Sequence, residues 1–170
     1  MKHKLKISLA TIGAGAVMLL IYQLSAQPAS ISDAYSRGIV NTLVNACLWL
    51  MGLSIPEPAR IRLVNHIDSV AREYMHGVIF MALAMLVQYA ALSGAVMPRK
   101  AAVITIAVCL TYGLGDEIHQ LLVPGRSFQV SDLLMDTMGS LVGIVLVTWN
   151  FSRCRHVRAL KQADAECGQD

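Results

Sequence analysis

The sequence predicts an all-α membrane protein: a compact four-transmembrane-helix bundle with an interfacial or re-entrant helix between the first two spans. Three observations carry this. The chain of 170 residues is 55% hydrophobic and 15% charged, whereas a soluble domain carries charge on about a quarter of its residues. Its apolar residues gather into runs approaching the ~20 residues that cross a bilayer core at 1.5 Å rise per residue. Its basic residues fall unevenly between those runs. With both termini cytoplasmic and four spans, Lys2, Lys4, Lys6, Arg99, Lys100, Arg153, Arg155, Arg158 and Lys161 lie inside, and Arg37, Arg60, Arg62, Arg72 and Arg126 lie outside. That bias sets the orientation.

The first run, Ile7–Leu24, follows a basic start and is expected to be a retained first helix. Leu24-Ser25-Ala26 imperfectly resembles a small-residue cleavage site, and cleavage there would leave three spans. A polar loop from Ser25 to Ser30 leads to a helix start capped at Ser32 or Asp33. Ile39–Leu53 is apolar, with Asn41, Asn45 and Trp49 at steps of four. A fifth span there would invert everything downstream and move the Arg153–Lys161 cluster outside, so an interfacial or re-entrant helix is expected. Pro56 and Pro58 end that piece, and Glu57–Arg72 forms an amphipathic approach to the second span, Val78–Met97. Pro98-Arg99-Lys100 makes a tight inner turn, which sets the second and third spans antiparallel. The third run is Ala101–Leu114, the fourth Val130–Trp149. Residues 1–150 form the membrane domain, and 151–170 a polar cytoplasmic tail.

The candidate site lies where the third span turns into the fourth. Tyr112, Asp116 and Gln120 share one helical face, with Glu117 and His119 beside them. Pro124-Gly125 makes the turn that carries Arg126, and Ser131 or Asp132 is expected to cap the fourth span, with Asp136 one turn further. Gly139-x-x-x-Gly143 continues that face and permits close helix contact. Arg72 and His76, four apart where the second span begins, complete the set. Ionisable groups at membrane depth cost about 2.5–3.5 kcal/mol each and are normally paired or functional. Arg72 is therefore expected to pair with Asp116 or Glu117, and His76 to approach Asp132 or Asp136.

Several chemistries are disfavoured. The basic residues are short flanks of spans with no aromatic interleaving, which argues against nucleic acid. Cys47, Cys109, Cys154 and Cys167 show no CxxC spacing. Glu117 and His119 are two apart and cannot form an HExxH zinc helix.

The Asp116-Glu117-x-His119-Gln120 cluster, followed by Pro124-Gly125-Arg126, Asp132 and Asp136-x-x-Gly139, resembles the VanZ-like family of small bacterial membrane proteins. Arg72 and His76 match the family's Arg-Lys-x-x-His start to its second span, with Glu73 where lysine is usual and Phe80 where an aromatic is usual. Ser25-x-Gln27 and Ser36 resemble its serine-marked outer loop, and Asp136 stands where asparagine is commoner. The resemblance covers most of the chain. It implies a multi-pass protein of the bacterial inner membrane with an outward-facing polar site. The family's named member is associated with low-level resistance to the glycopeptide teicoplanin, a connection to the cell envelope that supplies no reaction.

Three functions remain open at this point. The site could recognise a membrane lipid or lipid-linked precursor, with Arg72 and Arg126 on phosphate. It could be an enzyme acting on a phosphorylated lipid, with His76, Glu117 or Asp116 catalytic and a divalent cation, magnesium or calcium, held by the acids. It could be an ionic network that only holds helices together.

Overall fold

The computed structural model describes residues 2–167, and among them the regular structure is all helix, joined by turns and short irregular links: α1 Lys2–Ser25, α2 Ala29–Leu50, α3 Glu57–Ser93, α4 Pro98–Gln120 and α5 Val130–Cys167. Four helices, α1, α3, α4 and α5, are long and apolar enough to cross a membrane. The expected four-helix membrane bundle is therefore the fold, and α2 is the additional helix between its first two spans.

The helix boundaries follow from local chemistry and refine the sequence-based expectations. α2 begins directly after Pro28, with no side-chain cap. Ser32 and Asp33 therefore lie inside its first turns and do not cap it. The approach segment and the second span form one continuous helix, α3. Pro58 is tolerated in its first turn, where the missing N–H has no partner to lose, and Glu57 there faces the positive end of the helix dipole. At 37 residues α3 is roughly 55 Å long, against about 30 Å of hydrocarbon, so its N-terminal part projects beyond the other spans. Pro98 is likewise the start of α4, so the connection from α3 is made by residues 94–97 and not by Pro98-Arg99-Lys100. α5 stays helical past the last apolar residues to Cys167.

The core between the spans contains Ala14 and Ile21 of α1, Phe80, Leu83 and Ala84 of α3, Cys109 of α4 and Ile144 of α5. α3 and α5 form the closest interface. A Cβ on Gly139 would run into the backbone of Gly77, and one on Gly143 would lie 2.6 Å from the Met81 carbonyl oxygen. Only glycines allow the two backbones to meet there. Deeper in the bundle Gln88 is fully buried and joins three helices: it accepts from Thr105 Oγ1 of α4 at 2.8 Å and donates to Thr148 Oγ1 of α5 at 2.9 Å.

α2 packs on the projecting part of α3. Val40 and Val44 form a small buried cluster with Val64, and Arg60 donates to Asn41 Oδ1 at 2.8 Å and to Asn45 Oδ1 at 3.2 Å. The asparagines of the Asn41-Asn45-Trp49 stripe thus face Arg60, while Trp49 is 80% exposed.

Candidate functional site

The end of the bundle where α1 and α4 finish and α5 starts gathers the buried charge. Five carboxylates lie within it or beside it: Asp68, Asp116, Glu117, Asp132 and Asp136 are each at most 7% exposed. The charged groups at this end sit in three local settings, with Asp68 standing apart on α3.

The first setting is the junction of α1 and α4. Asp116 accepts from Ser25 Oγ at 2.7 Å and from Gln120 Nε2 at 3.0 Å. Gln120 also reaches Glu117 Oε1 at 3.5 Å. Glu117 is completely buried, and its second oxygen accepts the backbone N–H of Gln129 at 2.8 Å. That amide precedes α5, where helix amides lack intrahelical partners, so a carboxylate from α4 caps the α5 start. Ser131 and Asp132 fall within the first turn of α5 and do not provide the cap.

The second setting is a histidine between two aspartates. His76 Nδ1 is 3.5 Å from Asp136 Oδ1 and its Nε2 is 3.9 Å from Asp132 Oδ2, as the spacing on α3 and α5 implied. Both distances exceed hydrogen-bond length, so these are charge contacts when the imidazole is protonated. Asp136 can stand here because α4 has a glycine opposite it: a Cβ on Gly113 would be 3.1 Å from Asp136 Oδ2.

The third setting is the rim. Arg72 does not reach Asp116 or Glu117; its guanidinium is hydrogen-bonded to Asp33 of α2, which also takes Arg37 at 3.2 Å. The Arg72–Asp33 pairing has a simple origin. α2 folds over the α3 stem and offers a carboxylate near Arg72, whereas the α4 acids are already occupied by Ser25, Gln120 and Gln129. The hydrogen bond from Arg72 holds the Asp33 carboxyl below the usual carboxylate range, and Arg37 adds to the effect. Arg126 sits on a turn in which Pro124 precedes Gly125 at φ +78°, closed by its own N–H to the Val123 carbonyl at 3.1 Å. This is type II turn chemistry, as the Pro-Gly pair implied. Arg126 Nε donates to the Gln27 carbonyl at 3.4 Å. Among the described residues no carboxylate lies within ion-pair distance of it, Asp132 included.

These groups divide over two openings. A polar cavity of about 380 Å³ is lined by Arg37, Asn65, Asp68, Ser69, Arg72, Glu73, His76, Arg126, Gln129 and Asp132. Arg72, His76 and Arg126 also line an adjoining apolar chamber of about 150 Å³ formed by Ile21, Leu24, Met75, Ile79 and Phe80 together with Ser25 and Ser32. Tyr112, Asp116 and His119 open instead onto a largely apolar groove of about 580 Å³ between α1 and α4. There the Tyr112 hydroxyl donates to the Met18 carbonyl, and the His119 ring lies against Tyr22 with centroids 4.9 Å apart. The ten residues singled out from the sequence thus share one end of the bundle but not one cavity. Arg72, His76, Arg126 and Asp132 line the polar cavity, and Tyr112, Asp116 and His119 the groove. Glu117, Gln120 and Asp136 are buried among the helices.

Four contributors were not among those ten: Ser25, Asp33, Asp68 and Gln129. Asp68 had a visible signal, because Asp68, Arg72 and His76 stand at i, i+4 and i+8 on one face of α3. Among the described residues no three His, Cys, Asp or Glu side chains converge as a metal-binding group.

Fold and site together define a small polytopic membrane-helix protein with a buried ionic cluster at one end of its bundle. The chain belongs to the VanZ-like family: the VanZ/LLP1 family model matches residues 11–151, from within α1 through the apolar part of α5. No curated protein and no solved structure matches it.

Proposed function

We propose that this chain recognises an envelope lipid or lipid-linked cell-wall precursor by the phosphate of its headgroup, at the outer face of the bacterial cytoplasmic membrane with both termini inside, and so contributes to glycopeptide (teicoplanin) tolerance. The observation that carries this is Arg126. It is a guanidinium on a fixed turn, unpaired with any described carboxylate, at the shared rim of a polar cavity and an apolar chamber. A planar fork of donors suits phosphate, and adjoining polar and apolar space suits a headgroup and the start of its hydrocarbon. The cavity volume falls within the ~300–1,000 Å³ usual for small-molecule sites. α2 adds support for the membrane setting. Ile31, Tyr35, Ile39, Leu43 and Leu50 make an exposed apolar stripe on it, which fits a helix lying in the interface.

The test is binding of anionic phospholipid and lipid-linked precursor to the purified protein, with thermal stability measured in the same preparation. Arg126→Lys is expected to weaken binding by roughly ten- to a hundred-fold, the equivalent of one bidentate contact, while leaving the melting temperature unchanged. Unchanged binding with a clear stability loss would make Arg126 a structural residue. A second function, hydrolysis of a phosphorylated lipid with His76 as general base, is favoured only by the placement of His76 against two aspartates. Phosphate release by wild-type protein that is absent in His76→Ala would establish it.

A further inference from the structure

The polar cavity is not uniformly cationic. Of its basic groups, Arg37 and Arg72 are both engaged by Asp33, and His76 faces Asp132 and Asp136. Arg126 is left as the cation without a described carboxylate partner. On the acidic side, Asp132 faces His76, and Glu73 is exposed to solvent. Asp68 differs from both: it is 6% exposed, it lines the same cavity, and its Oδ1 is buried without a hydrogen-bond partner among the described residues. A buried carboxylate at a cavity wall with no donor or cation beside it is costly, and a cationic donor placed in the cavity lowers that cost. Beside exposed Glu73, the cavity therefore presents one uncommitted cation, Arg126, and one buried uncommitted anion, Asp68, among the described residues.

Resting on the phosphate-recognition function above, we propose that the preferred ligand is a phospholipid whose headgroup carries a primary amine: phosphate on Arg126, ammonium on Asp68. A primary ammonium offers three N–H donors and a positive charge, which matches an acidic oxygen lacking a donor. A purely anionic headgroup such as that of phosphatidylglycerol carries the same phosphate but no cation to set against Asp68. A trimethylated ammonium has the charge but no N–H to give. The adjoining apolar chamber, which shares Arg126, argues for a lipid over a free phosphoamine.

The experiment uses the full chain in nanodiscs and follows displacement of a fluorescent phospholipid by phosphatidylethanolamine, its mono- and dimethylated forms, phosphatidylcholine, phosphatidylglycerol and soluble phosphoethanolamine. Phosphatidylethanolamine is expected to bind about tenfold more tightly than phosphatidylglycerol or phosphatidylcholine, with affinity falling along the methylation series. Asp68→Asn is expected to erase that preference, and Arg126→Gln to weaken every phospholipid alike. The methylation series on wild-type protein keeps the test sound even if Asp68→Asn folds poorly. Equal binding of phosphatidylethanolamine and phosphatidylglycerol, or a preference that survives Asp68→Asn, overturns the amine assignment while the phosphate function stands. Soluble phosphoethanolamine binding as tightly as the lipid overturns the lipid assignment. Loss of all binding differences between wild type and Arg126→Gln removes the phosphate function itself.

Discussion

Replacing Gly139 by alanine should separate α3 from α5 and disturb the histidine site without touching a polar atom. The new Cβ would meet the Gly77 carbonyl oxygen and lie 2.7 Å from its carbon and 2.9 Å from its Cα. Ordinary carbon contacts begin near 3.5 Å, so the backbones must part by roughly 1 Å. The obstacle is main chain, not a side chain that can swing away. Overpacking of this kind costs about 1–3 kcal/mol and occasionally more. Gly77 follows His76, and Asp136 lies one turn before Gly139, so the same displacement opens the 3.5 Å His76–Asp136 contact. Thermal unfolding in detergent, run beside Gly115→Ala as a control, checks the magnitude. A Cβ on Gly115 has nothing within 4 Å, and that variant should match or exceed wild type because alanine suits a helix better. Should Gly139→Ala melt with wild type, the two backbones are not in contact, and the placement of His76 against α5 fails with them.

Ser25→Ala deprives buried Asp116 of the shorter of its two hydrogen bonds and should cost about 1–3 kcal/mol in a denaturation series; Ser32→Ala, on the chamber wall, should not. The Asp33 carboxyl is held low by Arg72, so its contribution is present above the unfolded carboxylate range and is lost only as pH falls through the lowered value. Hydrogen-exchange protection of α2 should therefore hold steady from about pH 8 to pH 5 and drop in stronger acid, with Asp33→Asn removing the acid step. Protection lost between about pH 7 and pH 5 would instead implicate a histidine. For orientation, Ser127→Cys in a background free of native cysteines should label from the outside of intact cells; labelling only after the inner face is exposed would reverse the topology.

The spans and the His76–aspartate approach were legible because periodicity acts locally: apolar runs mark helices, and i, i+4 spacing puts Arg72 and His76 on one face whatever the tertiary fold. The partner of Arg72 was not legible, since several acids near one membrane face satisfy the same cost argument. Choosing among them needs the path of α2, which depends on Val40 and Val44 meeting Val64 and on Arg60 meeting two asparagines. Asp33 looked like a cap for a similar reason, because Ser-Asp after a proline-containing loop is a start signal and only the actual start at Ala29 removes it. The α5 cap came from Glu117, twelve residues before the amide it accepts, which no local pattern announces. The split between cavity and groove was likewise invisible, because Tyr112, Asp116 and Gln120 share a face that does not say which neighbours it meets.

The Gln88 junction bears on how the bundle can move. Sliding or tilting α3 against α4 and α5 would break one buried and one partly buried hydrogen bond at once and leave the buried Gln88 amide without partners. The long helices therefore behave as a stiff post fastened at depth. The rim of the cavity is fastened more lightly at three points: Arg72 to Asp33, Arg126 to the Gln27 carbonyl, and the Ala29 amide to the Pro124 carbonyl at 3.3 Å. Partly exposed contacts of this kind are worth about 0–1 kcal/mol each, while the Val40–Val44–Val64 cluster and Arg60 hold the rest of α2 to α3. The polar cavity thus lies between a frame locked at depth and a rim joined by individually weak contacts, so substitutions among those rim contacts should disturb the cavity without altering the spans beneath it.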